Sequence, residues 1–462
     1  MLNKKEPLGS FLLKERRTVM FETIVALATA PFTSAISMIR VSGDKALEIV
    51  SHCFSKNIEN CEKRTIYYGF IMDQKEKVDE VILNVYPGTH SYTGENLVEI
   101  QCHGSMLIVR EIIALLIKNG ARNAERGEFT ARAFYHGRID LVQAEAINDM
   151  IHASSKEGKD LALLSLEGKT SQTLTPLKTR LADLLSQIEV NIDYPEYQDI
   201  EEVTTQKVLD EVNQMCFMID HLIQDGRQGK LIKDGIKVAI VGKPNVGKSS
   251  LLNALMKEQK AIVTDIAGTT RDIVEGEILL EGLPLHLLDT AGIHESKDEV
   301  ESIGIEKAKK AVEDADVVLL VIDGSKEEDK EDIELREKTK NKKRIIIYNK
   351  EDLLKDEKKK DGIYISAKDG NIEELKDAIL SLLELDQEVY HRPSFANERQ
   401  LGLLEKTKIE LKKAQSDAAN GLTLDLVAVS IQEAYLNILS ILGEGKGNDF
   451  TEEIFSRFCV GK

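Results

Sequence analysis

What this 462-residue chain lacks already narrows its role. No apolar run approaches the roughly 18 residues needed to cross a bilayer. Residues 1–19 set Lys4, Lys5, Lys14, Arg16 and Arg17 around an apolar stretch too short for a signal peptide. A cytoplasmic protein is expected, with Met20 as an alternative start and residues 1–19 as an extension. Cysteine is sparse. Cys53, Cys61, Cys102, Cys216 and Cys459 are odd in number and have no metal-ligand spacing, which argues against a disulfide framework or zinc site and for a reducing compartment. Positive charge is in deficit: 61 Lys and Arg stand against 79 Asp and Glu, a formal net charge of −18. Such a field repels polyanions, so a nucleic acid needs a local basic patch or a partner to hold it.

Core-forming material is ample. Hydrophobic residues make up 42% of the chain, which excludes a wholly disordered protein, and the length suits two to four domains. Residues 23–29, 35–41, 81–86 and 97–102 read as strands, and 106–117, apolar on nearly all sides, as a buried helix. Together they suggest a small α+β module. From 141 the period becomes helical. Leu177, Leu181, Leu184, Ile188 and Ile192 mark one face of a long helix that Pro195 ends. A second helical segment leads to 226–235, strand–helix alternation fills 236–383, and helical periodicity returns over 399–442 before a glycine-rich break at 443–447. The pattern predicts an α/β domain inserted into a split helical body. The charged stretch 324–362 reads as a solvated helix face with exposed loops.

The inserted segment carries the chemistry. A strand at 236–241 runs into Gly242-Lys243-Pro244-Asn245-Val246-Gly247-Lys248-Ser249, followed by helix-like sequence from Ser250. This is a phosphate-binding loop in strand–loop–helix context: backbone N–H groups and a helix N-terminus face phosphate, Lys248 neutralises it, and Ser249 ligates Mg²⁺. Asp289-Thr290-Ala291-Gly292 after a strand supplies a carboxylate for the metal through water and an N–H for the γ-phosphate. Asn349-Lys350-Glu351-Asp352 supplies Asp352 to accept from the N1–H and 2-amino groups of guanine, and Ser366-Ala367-Lys368 fits the last base-contacting loop. Four elements in this order specify a guanine-nucleotide switch with a P-loop.

Hydrolysis needs another agent. Ile293 stands where many small GTPases place a water-orienting glutamine, and an aliphatic side chain neither orients water nor stabilises charge. Asn245 and the carbonyls of Thr264, Asp265, Ile266, Ala267, Gly268 and Thr269 offer oxygen ligands to a potassium ion, with Thr270 completing the Mg²⁺ shell. Asn245 reads equally as a tolerated loop residue. Glu301 reads equally as a water-polarising base or an ordinary acidic residue at a helix start.

Three further segments are recognisable: Ser91-Tyr92-Thr93-Gly94-Glu95 with Val98-Glu99-Ile100-Gln101-Cys102-His103-Gly104, Arg126-Gly127-Glu128-Phe129-Thr130 through Asp140-Leu141-Val142-Gln143-Ala144-Glu145-Ala146, and Phe458-Cys459-Val460-Gly461-Lys462. With the GTPase motifs they closely resemble the MnmE (TrmE) family of tRNA modification GTPases, from Met20 onward. The terminal Cys459-x-Gly-Lys462, absent from other translation-associated GTPases, is the most specific element. The resemblance implies an α+β tetrahydrofolate-binding and dimerisation domain at 20–139 and an all-α domain split between 140–235 and 385–462. It places a Ras-like α/β G domain at 236–384. It also implies G domains that dimerise across the nucleotide with potassium bound, giving Asn245 and Glu301 their roles. The partner is an FAD-dependent subunit, MnmG (GidA), in a heterotetramer. The reaction adds an aminomethyl or carboxymethylaminomethyl group to C5 of the wobble uridine of certain tRNAs, with a one-carbon unit from methylene-tetrahydrofolate.

Folate contacts carry over to Arg40, Glu99, Arg138 and Lys462. A pterin edge suits a carboxylate, and folate's glutamate tail suits a guanidinium. Cys459 reads as a nucleophile, activated by Lys462 or Arg457, or as an inert tail thiol, and His103 as structural. Two departures stand out. Ala30-Pro31-Phe32-Thr33-Ser34-Ala35 replaces the family's glycine- and arginine-rich turn, and His294 follows Ile293 where arginine is common. The competing readings are a ribosome-assembly GTPase, which has no use for a folate module or this tail, and a standalone folate aminomethyltransferase with a regulatory G domain.

Overall fold

The computed structural model describes residues 22–194, 204–258, 274–288, 310–354, 361–383, 387–445, 454–456 and 458–461. It divides into two compact units, one of residues up to Asn148 together with those from Leu439 onward, the other spanning Asp149–Ile438.

The first unit is built on a six-stranded sheet. Its strands are β1 (Ile24–Leu27), β2 (Ile36–Ser42), β3 (Thr65–Asp73), β4 (Glu76–Tyr86), β5 (Leu97–His103) and β6 (Arg122–Asn123), in spatial order β3-β4-β5-β2-β1-β6. All pairs are antiparallel except β1–β6. Helices α1 (Ala46–His52) and α2 (Met106–Lys118) supply Ile49, Val50, Val109, Ile112 and Leu116 to a core completed by Ile39, Val41, Leu83, Val98 and Ile100. Strand alternation turns Met38, Arg40, Glu99 and Gln101 to the opposite face. α3 (Glu128–Tyr135) follows, and α4 (Leu141–His152) runs across the division between units. Two expectations are corrected here. β3 was unforeseen: Ile66 to Met72 run without apolar–polar alternation, and the strand pairs with β4 along its whole length. α2 is amphipathic rather than buried all round, with Leu107 and Ile117 exposed.

The second unit contains helices and an open α/β sheet. α5 (Lys156–Leu166), α6 (Lys169–Thr173) and α7 (Thr175–Asp193) precede α8 (Thr205–Asp234). Leu177, Leu181, Leu184 and Ile188 of α7 are buried at helical spacing, as expected, while Ile192 is exposed. α8 starts where the Thr204 hydroxyl caps the Lys207 N–H. It continues unbroken to Asp234 rather than breaking at 226, and its buried Gly226 and Gly229 allow close packing on 394–401.

The sheet has order β12-β11-β10-β7-β9-β8, from β7 (Ile236–Val241), β8 (Val274–Leu280), β9 (Leu283–Leu288), β10 (Val317–Asp323), β11 (Lys343–Asn349) and β12 (Ile363–Ile365). It is parallel apart from the β8–β9 hairpin. α9 (Lys248–Glu258), α10 (Lys330–Lys338) and α11 (Glu373–Leu383) complete it. Buried on both faces, β10 reads as an uninterrupted apolar run up to Asp323.

The 399–442 periodicity resolves into two helices, α12 (Glu398–Ala419) and α13 (Leu424–Leu442). α13 corrects the expectation that nothing spans a bilayer: its 19 residues, with mean hydropathy 1.3, suffice by length and composition. Val427, Ile431, Ala434, Ile438 and Ile441 are buried at steps of four and three, the stripe of a helix packed into a protein core.

Candidate functional site

β7 lies centrally in its sheet, between β10 and β9, and delivers the phosphate loop to the carboxyl edge of the strands, where open α/β sheets bind ligands. Asn245 and Gly247 have φ of 64° and 98°. The loop thus curls through left-handed backbone that a non-glycine residue adopts only under constraint. The Lys248 ammonium donates to the carbonyls of Gly242 and Lys243, both at 2.8 Å. Ser249 and Ser250 are exposed in the first turn of α9, where N–H groups and the helix dipole favour an anion. An exposed Ser249 hydroxyl beside that phosphate position fits as a protein oxygen for a nucleotide-bound Mg²⁺.

The Asn349–Asp352 loop is bonded directly to the 242–249 loop. Asn349, buried at the end of β11, donates from Nδ2 to the Val246 carbonyl at 2.8 Å and accepts the Ala367 N–H at 3.0 Å. Gly247 is obligatory beside it, because a Cβ there would lie 2.1 Å from Asn349 Nδ2. Lys350, at φ 69°, places its ammonium 2.7 Å from the Asp323 carboxylate. Burial works to raise the Asp323 carboxyl, but Lys350 and Ser325 outweigh it and hold the group below its ordinary range. Asp352 lies in the 3-10 turn Glu351–Leu353 and accepts from the Ser366 hydroxyl at 3.1 Å, while Lys368 is exposed next to buried Ala367. The structure therefore brings together Asn245, Val246, Gly247, Lys248, Ser249 and Ser250 with Asn349, Lys350, Asp352, Ser366, Ala367 and Lys368. Thr264 to Thr270, Asp289, Thr290, Ala291, Gly292, Ile293, His294, Glu301, Arg457 and Lys462 lie outside the described residues.

The first unit holds a second polar site. Arg40 and Glu99 are direct cross-strand neighbours, and the guanidinium donates to Glu99 Oε1 from Nη2 at 2.9 Å and Nε at 3.2 Å. Its Nη1 donates to the Gly461 carbonyl at 3.1 Å. Gly461, at φ 94°, sits where a Cβ would meet the Leu27 carbonyl oxygen at 2.3 Å. Val460 bridges Arg126, and the Gly127 N–H donates to the Cys459 carbonyl at 3.4 Å. The tail is thereby docked beside Arg40 with Cys459 exposed.

Tyr92 was missed. Its ring centroid lies 4.9 Å from the Arg40 guanidinium and 5.1 Å from that of Arg138, which also donates to the Tyr92 carbonyl at 2.6 Å. The signal was an aromatic within the quoted Ser91–Glu95 motif, placed to hold two cations. Below it, buried Arg132 bonds Glu95 and Glu128 at 2.8 and 2.9 Å. The turn at 30–35 is tied down by the Ser34 N–H donating to the Gly104 carbonyl at 3.1 Å and leaves Phe32 exposed. His103, exposed, bonds the Asp79 carboxylate at 2.7 Å.

Family models match in two places: the MnmE helical domain over residues 141–459 and the N-terminus of the GTP-binding protein TrmE over 23–138. The tRNA modification GTPase MnmE of Lactococcus lactis subsp. lactis is 41% identical, covering 96% of this chain and 99% of its own length. That of Lactobacillus delbrueckii subsp. bulgaricus is 42% identical, covering 97% and 100%. Among solved structures, an Aquifex aeolicus Era variant bound to GDP and AlF4− is 32% identical over 38% of this chain and 66% of that one, with a TM-score of 0.27. With a helical-domain match across most of its length and relatives aligned end to end, the chain belongs to the MnmE (TrmE) family.

Proposed function

We propose that this chain is the GTP-hydrolysing subunit of a tRNA-modifying complex that adds an aminomethyl or carboxymethylaminomethyl group to C5 of the wobble uridine. The observation that carries this reading is the pairing, in one polypeptide, of a phosphate loop bonded to its base loop with a docked Cys459–Gly461 tail beside Arg40 and Glu99. A GTPase that only times ribosome assembly has no use for the second site. The domain boundaries proposed are 20–139 for folate binding and dimerisation, 236–384 for the G domain, and 140–235 with 385–462 for the helical domain.

In this reading a reduced folate, 5-formyl- or 5,10-methylene-tetrahydrofolate, sits against Arg40, Glu99, Arg138 and Lys462. The Arg40–Glu99 pair on that sheet face, with exposed Arg138 on the Tyr92 ring, supports it. Exposed Ile36, Ile66, Tyr68 and Ile82 on the same face support a homodimer, since apolar rows on a sheet otherwise left to water mark an interface. Potassium held by Asn245, Thr264, Ile266 and Thr269 stands in for an arginine finger, with Glu301 polarising water, Thr270 on Mg²⁺ and Asp289 to Gly292 sensing the γ-phosphate. Left-handed, exposed Asn245 supports a ligand role for its side chain. An FAD-bearing MnmG subunit completes a cytoplasmic heterotetramer, and GTP turnover drives domain motion rather than the covalent steps. The test is nucleoside analysis of tRNA from cells lacking the protein: C5-aminomethyl derivatives of the wobble uridine disappear, and their persistence refutes the reading.

A further inference from the structure

The phosphate loop is also held from outside, by an acidic connection that belongs to none of the nucleotide motifs. Residues 324–329 join β10 to α10. At one end Asp323 pairs with Lys350 of the base loop at 2.7 Å. At the other, Asp329 caps α10, accepting the N–H groups of Glu331 and Asp332 at 3.0 and 3.2 Å, and Asp332 returns a bond to the Asp329 N–H at 3.2 Å. Into this capping box reaches Lys243, with its ammonium 2.5 Å from Asp329 and 2.8 Å from Asp332. The Asp332 side chain is only 4% exposed, and its Oδ1 has no partner among the described residues. The same Lys243 offers its carbonyl to the Lys248 ammonium.

We infer that Lys243 is a positioning residue, whose ammonium, clamped in the capping box of α10, fixes the first turn of the phosphate loop and so the place where Lys248 waits for phosphate. A surface ion pair between mobile side chains does little. This one differs because one carboxylate is buried and cannot turn to water, so losing the cation strands it. Bonds from Asp329 and Asp332 also hold the Lys243 ammonium well above its ordinary range, keeping it charged at any physiological pH. GDP and GTP both seat their inner phosphates in this loop, so the clamp acts on the affinity of both nucleotides far more than on turnover at saturation.

The inference rests on the guanine-nucleotide reading of the site. Its test is stopped-flow dissociation of N-methylanthraniloyl-GDP from the full chain, with steady-state GTP hydrolysis alongside. Lys243→Met should release the nucleotide about tenfold faster and raise KM for GTP about tenfold, with a much smaller change in kcat. Lys243→Arg, which reaches the same carboxylates, should restore both. Asp332→Asn removes the buried charge opposite Lys243 while its amide oxygen still accepts the Asp329 N–H, so it should reproduce the Lys243→Met behaviour even where that variant folds poorly. Combining the two should add nothing further. Unchanged GDP release in both single variants, or strictly additive effects, overturns the inference alone. A native chain that binds no guanine nucleotide overturns the reading beneath it as well.

Discussion

The Asn349 side chain donates to the Val246 carbonyl at 2.8 Å, so the 349–352 loop and the 242–249 loop are one bonded piece. Removing that amide strands the Val246 carbonyl and the Ala367 N–H together, each buried group costing about 1–3 kcal/mol. Asn349→Ala should therefore weaken GTP and GDP binding by at least about tenfold, measured by calorimetry. Affinity within twofold of native would show that the two loops are held independently.

Asp352→Asn should exchange guanine for xanthine preference, because an amide presents a donor where the carboxylate accepts. The measurement is competition between GTP and xanthosine triphosphate. A buried hydrogen-bonding site discriminates by about 10⁴-fold, so unaltered GTP selectivity would remove Asp352 from base recognition.

Replacing potassium by sodium at constant ionic strength should slow GTP hydrolysis sharply, by up to the about 10³–10⁵-fold that an arginine finger supplies elsewhere. Asn245→Ala should abolish the difference between the ions. Equal rates in both salts would leave Asn245 as a loop residue.

Thiol reactivity should separate the cysteines. Burial, then Asp73, pushes the Cys53 thiol up to about 12, and burial with Asp79 pushes Cys102 up to about 11. At pH 8 both remain protonated, and a thiolate is the reacting species. Exposed Cys459 should react first with Ellman's reagent, and Cys459→Ser should delete the fast phase. A fast phase that mapped to Cys53 or Cys102 would contradict the burial.

Acid stability should depend on Glu128. Burial works to raise its carboxyl, but Arg122, the Glu125 N–H and Arg132 outweigh it and hold it below 4.5. Its contribution is therefore full above about pH 4.5 and fades as pH falls through the depressed native value. Glu128→Gln should lower Tm at pH 7 and flatten its decline in acid. Arg132→Met, which takes from Glu95 its cation and from Glu128 one of its two, should cost about 3–5 kcal/mol by urea unfolding.

The candidate nucleotide site could be read because its motifs are local: Lys248, Asn349 and Asp352 each sit in short runs beside the strands that carry them, and the structure brings those runs together. The buried stripe of α7 was equally legible from the spacing of Leu177 to Ile188. What escaped notice depends on contacts distant in sequence. Tyr92 gains its meaning only when Arg40 and Arg138 arrive on its ring, and Lys243 only when α10 presents Asp329 and Asp332. The acidic stretch after Asp323 reads as solvated surface because composition cannot show that Asp332 is buried or that Lys350 takes Asp323 as its partner. β3 carried no apolar–polar alternation, and Gly69 in its middle and the Gln74 turn that pairs it with β4 made it less evident than its neighbours.

The seat of Gly461 against Leu27 has a consequence for biosynthesis. A ribosome must emit all of 149–438 before the residues that occupy this seat exist, so the nascent amino-terminal unit waits with Arg40 lacking its carbonyl partner. Final maturation of that unit thus comes after translation of the rest.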